Sequence, residues 1–287
     1  MNSAKPKGTS FMPIHLTPDG HQLTYTSAGH PDAPPLLMLH GWMSYRGVWG
    51  QTIEAYQQTY HCVAVDLLGF GESDKSKEAD YSVQAQGQRI LQLADTLGFD
   101  KFTLIGHSFG GQIAMGIASM LAPERISKLV NVAGVVSARL TPEVERVNYK
   151  WIALSAVFPQ LYSLSRWLAQ YRWNGRSSFK TWFYDLDALP FDQWAEDRQM
   201  AFQPSMHVSA YKTGQAIHNL NLSTHLAKIT APTLTIFGRQ DAVVPLADGH
   251  LVEQYVPDSR LALIDQCGHF PMYEQTQQYL DALSSFL

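Results

Sequence analysis

Cysteine is scarce in this chain of 287 residues: only Cys62 and Cys267 occur. Two cysteines cannot frame a disulfide-stapled fold. Neither lies in a C-x-x-C pair or a His/Cys cluster, so no structural zinc is expected. Excess charge of one sign is missing as well. Lys and Arg number 21 against 25 Asp and Glu, a formal net charge of −4. With no basic stripe, nucleic acid is not an expected partner. No apolar run approaches the ~18 residues of a membrane-spanning helix. Residues 1–16 carry Lys5 and Lys7 but no apolar segment of a secretory leader. Repeats, low-complexity tracts and long linkers are lacking too. These absences point to the cytoplasm and to no membrane or nucleic-acid partner, and the length of 287 residues fits one α/β domain with an insertion. Monomer and dimer both remain open.

What is present begins with a hairpin signal. Phe11–Thr17 and His21–Ser27 are strand-like runs joined by Pro18-Asp19-Gly20, a turn sequence. A regular alternation follows. Pro35–Leu39, Cys62–Val65, Phe102–Ile105 and Ile126–Val132 are short apolar runs of buried strands. Between them the spacing predicts helices near Val48–Gln58, over Ser82–Leu97 and over Gln112–Leu121. After about Gly134 the rhythm stops. Ala138 to about Leu222 reads as helices and loops holding Trp151, Trp167, Trp173, Trp182 and Trp194. Strand Thr233–Phe237, helix Leu246–Tyr255, strand Arg260–Ile264 and helix Met272–Phe286 then resume it. The expected fold class is α/β: a mostly parallel central sheet with helices on both faces. The expected division is core 1–136, helical cap insertion 137–224 and core 225–287.

The chemistry-bearing stretch is Gly106-His107-Ser108-Phe109-Gly110, between an apolar strand and a helix. G-x-S-x-G in that setting marks a nucleophile elbow. A serine at the tip of so tight a turn is backbone-strained, and side chains two positions before and after it would clash. The helix N-terminus behind Ser108 points N–H groups at any developing anion.

Several further segments match in order. Leu39-His40-Gly41-Trp42 follows a buried strand, and Asp66-Leu67-Leu68-Gly69-Phe70-Gly71-Glu72-Ser73 follows the next. Gly238-Arg239-Gln240-Asp241 and Gly268-His269-Phe270 follow the last two strands. Together these segments resemble the capped serine hydrolases of the α/β-hydrolase fold, over nearly the whole chain. The resemblance implies that fold, with Ser108 as nucleophile, His269 as general base and Asp241 orienting the histidine. It implies an oxyanion hole from the backbone N–H groups of Trp42 and Phe109. Losing one such donor costs about 3 kcal/mol in other enzymes. Among eleven histidines, only His269 follows the terminal strand, and His40 and His107 read as structural. Asp265 and Asp66 also read as structural. The strand ending Asn131-Val132-Ala133-Gly134 offers no carboxylate, which favours Asp241 as the acid.

The cap aromatics, Trp151, Phe158, Tyr162, Trp167, Trp173, Trp182, Phe183 and Trp194, serve mainly the cap's own packing. Trp42, Trp151, Phe158 and Trp182 are the candidates for contact with an apolar or aromatic small-molecule substrate. Dehalogenases and epoxide hydrolases of this fold carry Asp where this chain has Ser108, so both are disfavoured. Carboxyl-ester hydrolysis through an acyl-enzyme leads, with no metal or organic cofactor needed. Carbon–carbon hydrolysis of the meta-cleavage product type is the alternative. The oxyanion loops of those enzymes are usually richer in glycine and proline than His40-Gly41-Trp42-Met43-Ser44. Thioesterase, lactonase and perhydrolase reactions share such a site. A ligand sensor that turns over slowly is the rival from another class.

Overall fold

The computed structural model describes residues 13–168, 180–188 and 191–287. Their strands form an eight-stranded sheet in the order β1-β2-β4-β3-β5-β6-β7-β8. β1 (Ile14–Leu16) and β2 (Gln22–Ala28) are the expected hairpin, with Ile14 opposite Thr24 and Leu16 opposite Gln22. Its turn is closed by the Thr17 N–H donating to the His21 carbonyl, and Gly20 takes φ +83°. β2 runs antiparallel to β4 (His61–Val65). From β4 onward every pairing is parallel: β3 (Pro35–Leu39), β5 (Phe102–His107), β6 (Ile126–Val132), β7 (Thr233–Gly238) and β8 (Ser259–Ile264). β4, β5 and β7 are buried along their whole length, as expected of strands covered on both faces.

The helices on the sheet follow the apolar spacing. α1 is Gly50–Tyr56 and α2 is Val83–Thr96, whose cap Ser82 accepts the Ala85 N–H at 3.2 Å. Such a cap contributes about 1 kcal/mol. α3 (Phe109–Gly116) begins three residues earlier than the apolar spacing indicates and continues as a π turn over Ile117–Leu121. Between β6 and β7 lie α4 (Lys150–Val157), α5 (Pro159–Leu168), α6 (Phe191–Ala201) and α7 (Met206–Asn219). α8 is Leu246–Tyr255. The single helix expected over Met272–Phe286 is instead two, α9 (Pro271–Glu274) and α10 (Thr276–Ser284). Gln275, at φ −136° and ψ 55°, breaks them apart. Among the described residues no helix is long and apolar enough to cross a membrane.

Parallel strands share one carboxyl edge. The loops after β3, β5, β7 and β8 therefore converge there, the place where open α/β sheets bind ligands.

Candidate active site

Ser108 sits between β5 and α3 at φ 55° and ψ −116°. That backbone state costs a non-glycine residue about 1–3 kcal/mol, so its surroundings must enforce it. They do so by close packing. A Cβ on Gly106 would collide with the Gly110 carbonyl, so strand meets helix without a side chain between them. Gly110 is required for a different reason than its partner. Its Cβ would run into the Leu39 and His40 carbonyls, on the loop after β3. A Cβ on Gly41 would stand 2.9 Å from the Ser108 Cβ. The loop after β3 thus lies directly on the elbow. The Trp42 N–H and the Phe109 N–H, the first of its helix, donate to no described residue. Two unspent donors beside Ser108 are what an oxyanion hole requires.

Asp241 follows β7. Its Oδ1 accepts the Val243 and Val244 N–H groups at 2.8 and 3.0 Å, which fixes the carboxylate. Its Oδ2 faces His269 Nδ1 at 2.8 Å. A carboxylate there selects the tautomer with the proton on Nδ1, leaving Nε2 as a lone-pair acceptor. His269 is 1% exposed, and its Nε2 has no hydrogen-bond partner. The His107 ring, adjacent to Ser108 in the chain, lies 4.7 Å from the His269 ring, centroid to centroid. Ser108 is 5% exposed and its hydroxyl makes no hydrogen bond to His269 in this conformation.

Two buried histidines brace these loops. The Leu67 N–H donates to His40 Nε2 at 3.0 Å, and His40 Nδ1–H donates to the Gly41 carbonyl at 2.7 Å. His107 Nε2–H donates to the His269 carbonyl at 2.8 Å. Burial lowers His40 to about 4 and holds His107 well below the ordinary imidazole range, so both stay neutral struts. Asp66 accepts the Arg46 and Glu72 N–H groups and pairs with the Arg46 guanidinium, which also reaches Glu72 at 2.6 Å. A Cβ on Gly71 would enter the Asp66 carboxylate, so this network shapes the loop after β4. Asp265 pairs with Arg239 at the surface, away from the histidine.

A cavity of about 440 Å³ adjoins this cluster, walled by Trp42, Trp151, Trp182, Phe183, Phe202 and Phe270. Ser108 and His269 do not themselves line it, but the His269 ring packs against two residues that do, Trp182 at 5.8 Å and Phe270 at 5.5 Å between ring centroids. Of the expected contact residues, Trp42, Trp151 and Trp182 line it. Phe158 does not. It ends α4 with 53% of its surface exposed, because the helix stops there and turns the ring outward. Tyr162 is buried, and its hydroxyl donates to the Gln203 carbonyl, while Trp167 is half-exposed. Trp173 and the side chain of Trp194 lie outside the described residues. The Trp42 indole N–H donates to the Ala210 carbonyl of α7 at 2.8 Å, tying the loop after β3 to the helices above.

A sequence model of the alpha/beta hydrolase fold matches residues 34–276. The chain belongs to the α/β-hydrolase fold family. It is similar to the pimeloyl-[acyl-carrier protein] methyl ester esterase of Nitrosomonas europaea, 28% identical over 258 residues, 88% of this chain and 96% of that one. It is also similar to a 2-hydroxymuconate semialdehyde hydrolase of Pseudomonas putida, 28% identical over 263 residues, 88% of this chain and 86% of that one. Among solved structures, a meta-cleavage product hydrolase of Pseudomonas fluorescens superimposes with a TM-score of 0.77 at 22% identity, covering 96% of each chain. That likeness shows the fold.

Sequence reasoning missed one carboxylate of this α/β hydrolase. Glu274 accepts the Gly268, Tyr184 and Asp185 N–H groups at 2.9, 2.7 and 3.1 Å. Burial raises its carboxyl above the ordinary range. It joins the loop bearing His269 to the segment bearing Trp182, whose carbonyl accepts the His269 N–H at 3.0 Å. An acid five residues after that histidine, in a turn opened by Pro271, was the signal available.

Proposed function

We propose that this hydrolase cleaves carboxylic esters of apolar or aromatic small molecules through an acyl-enzyme. The observation that carries the proposal is the buried Asp241–His269 pair, its Nε2 unspent, packed beside a serine in a left-handed elbow. Ser108 Oγ attacks the ester carbonyl as His269 Nε2 takes its proton. The tetrahedral oxyanion rests on the Trp42 and Phe109 N–H groups. The carbon–oxygen bond then breaks, and the alcohol leaves with the proton from His269. A water gives a proton to the same nitrogen, attacks the acyl-serine, and releases the acid as the proton returns to Ser108. The step requires the Ser108 side chain to rotate toward His269 Nε2, which it does not hydrogen-bond in this conformation. Residues 137–224 act as a cap that bounds the substrate, and the aromatic cavity supports an apolar portion of it.

The curated relatives include methyl ester esterases and a 2-hydroxymuconate semialdehyde hydrolase, so both readings have a counterpart among them. The loop His40-Gly41-Trp42-Met43-Ser44, with few glycines and a tryptophan indole held by α7, favours the ester reading. A p-nitrophenyl ester series from acetate to long chains, with Ser108→Ala alongside, tests it. The expected result is a preferred chain length and loss of several orders of magnitude in kcat/KM for the variant. No turnover of any ester by the wild type would overturn the ester reading.

A further inference from the structure

The cavity contains a group that ester hydrolysis does not use. Asp197, on α6, is the only residue with a formal charge among the described residues that line it. No Lys or Arg among them faces it. Its Oδ1 accepts the Gln193 side-chain N–H at 2.7 Å and the Tyr273 hydroxyl at 3.4 Å. Gln193 also donates to the Tyr45 hydroxyl at 3.0 Å. The groups around the carboxylate are thus two phenols from the core, an amide and Glu196 of its own helix, none of them a cation. A desolvated carboxylate with no cationic partner among the described residues is costly for a fold to keep. Burial foremost, with Glu196 adding, raises the Asp197 carboxyl to about 7 against the hydrogen bonds from Gln193, Tyr45 and Tyr273. Around it stand Trp42, Trp151, Trp182 and Phe270, whose ring faces are electron-rich.

We propose that this cavity selects ligands carrying an ammonium group, which pairs with Asp197 while the rings enclose the nitrogen and its carbon substituents. The chemistry follows from the lining alone. A cation gains from both the carboxylate and the ring quadrupoles, whereas an anion meets one partly buried negative charge and, among the described lining residues, no side chain of opposite sign. The proposal rests on the reading that this cavity receives the substrate, and it narrows the substrate to an apolar ester bearing one cationic nitrogen.

Binding tests it without turnover. Choline and its uncharged isostere 3,3-dimethylbutan-1-ol are titrated into the wild type, followed by the fluorescence of the wall tryptophans. Choline is expected to bind at least ~10-fold more tightly than the isostere at pH 8. Its affinity is expected to fall about tenfold by pH 6, as Asp197 takes up its proton. Asp197→Asn is expected to remove both the preference and that pH dependence. Any other group titrating in this range acts equally in the variant, so the difference isolates Asp197. Equal binding of the two probes by the wild type, no binding of choline, or an unchanged preference in Asp197→Asn each overturns the proposal. Choline selectivity in a protein that hydrolyses no ester would leave this inference standing and remove the ester reading instead.

Discussion

Asp241→Asn is nearly isosteric, yet the geometry makes it severe. The Val243 and Val244 N–H groups both donate to Oδ1, so in the variant the amide oxygen stays at that position. The new NH2 group then occupies the Oδ2 position, 2.8 Å from His269 Nδ1. A donor there favours the imidazole tautomer with its proton on Nε2. Nε2 is the nitrogen that must accept the Ser108 proton, so the base is disabled while the packing survives. The corresponding change in a serine protease lowers kcat by about 10⁴. We expect a loss of about 10³–10⁴ here, or roughly 4–6 kcal/mol of barrier at about 1.4 kcal/mol per tenfold. Because the two valine N–H groups keep their acceptor, the unfolding midpoint should move little. The assay is kcat for the preferred p-nitrophenyl ester, with thermal unfolding measured on the same preparation. A variant within tenfold of the wild type would refute the assignment of Asp241.

Three further outcomes follow from contacts already given. Gly106→Ala should cost about 3 kcal/mol, because both partners in the clash are backbone, and lower the unfolding temperature by about 5–10 °C. A midpoint equal to wild type would contradict the elbow packing. Glu274→Gln places an amide among three N–H donors. It should lower stability by about 1–3 kcal/mol and kcat by about tenfold, read by urea unfolding and ester turnover. Acid should destabilise the fold through His40, held at about 4 by burial. Above an unfolded value of about 6.5 neither state is charged, and the stability is complete. As pH falls from there to about 4 the unfolded state alone binds the proton, and at ~1.4 kcal/mol per unit about 3 kcal/mol is lost. His107 acts in the same direction. A urea midpoint unchanged between pH 7 and 4.5 would contradict this.

The fold was legible because its signals are local. Each buried parallel strand is a short apolar run, and each loop at the carboxyl edge carries its glycine and its polar residue within a few positions of the strand end. For that reason Ser108, Asp241 and His269 stood out, and the structure brings Asp241 and His269 into contact and packs His269 against the residue before Ser108. The helices above the sheet were harder to read. Trp151 and Phe158 are both aromatic, partly exposed, and lie on one helix and at its end, yet only Trp151 lines the cavity. That choice is made by how the helix docks, which spacing along one helix does not encode. Asp197 carries no signal in the sequence, because the phenols beside it come from Tyr45 and Tyr273, far away in the chain. The break at Gln275 likewise answers to Glu274 turning its carboxylate toward Gly268, a contact across the loop rather than along the chain.

Covalent trapping tests the central claim most directly. The protein is treated with a fluorophosphonate or a slowly deacylating p-nitrophenyl ester, its intact mass is measured, and the modified peptide is mapped. One adduct per chain on Ser108, absent from Ser108→Ala and slowed in Asp241→Asn, is the predicted result. An adduct on another residue, or none under conditions where the ester is turned over, would contradict it.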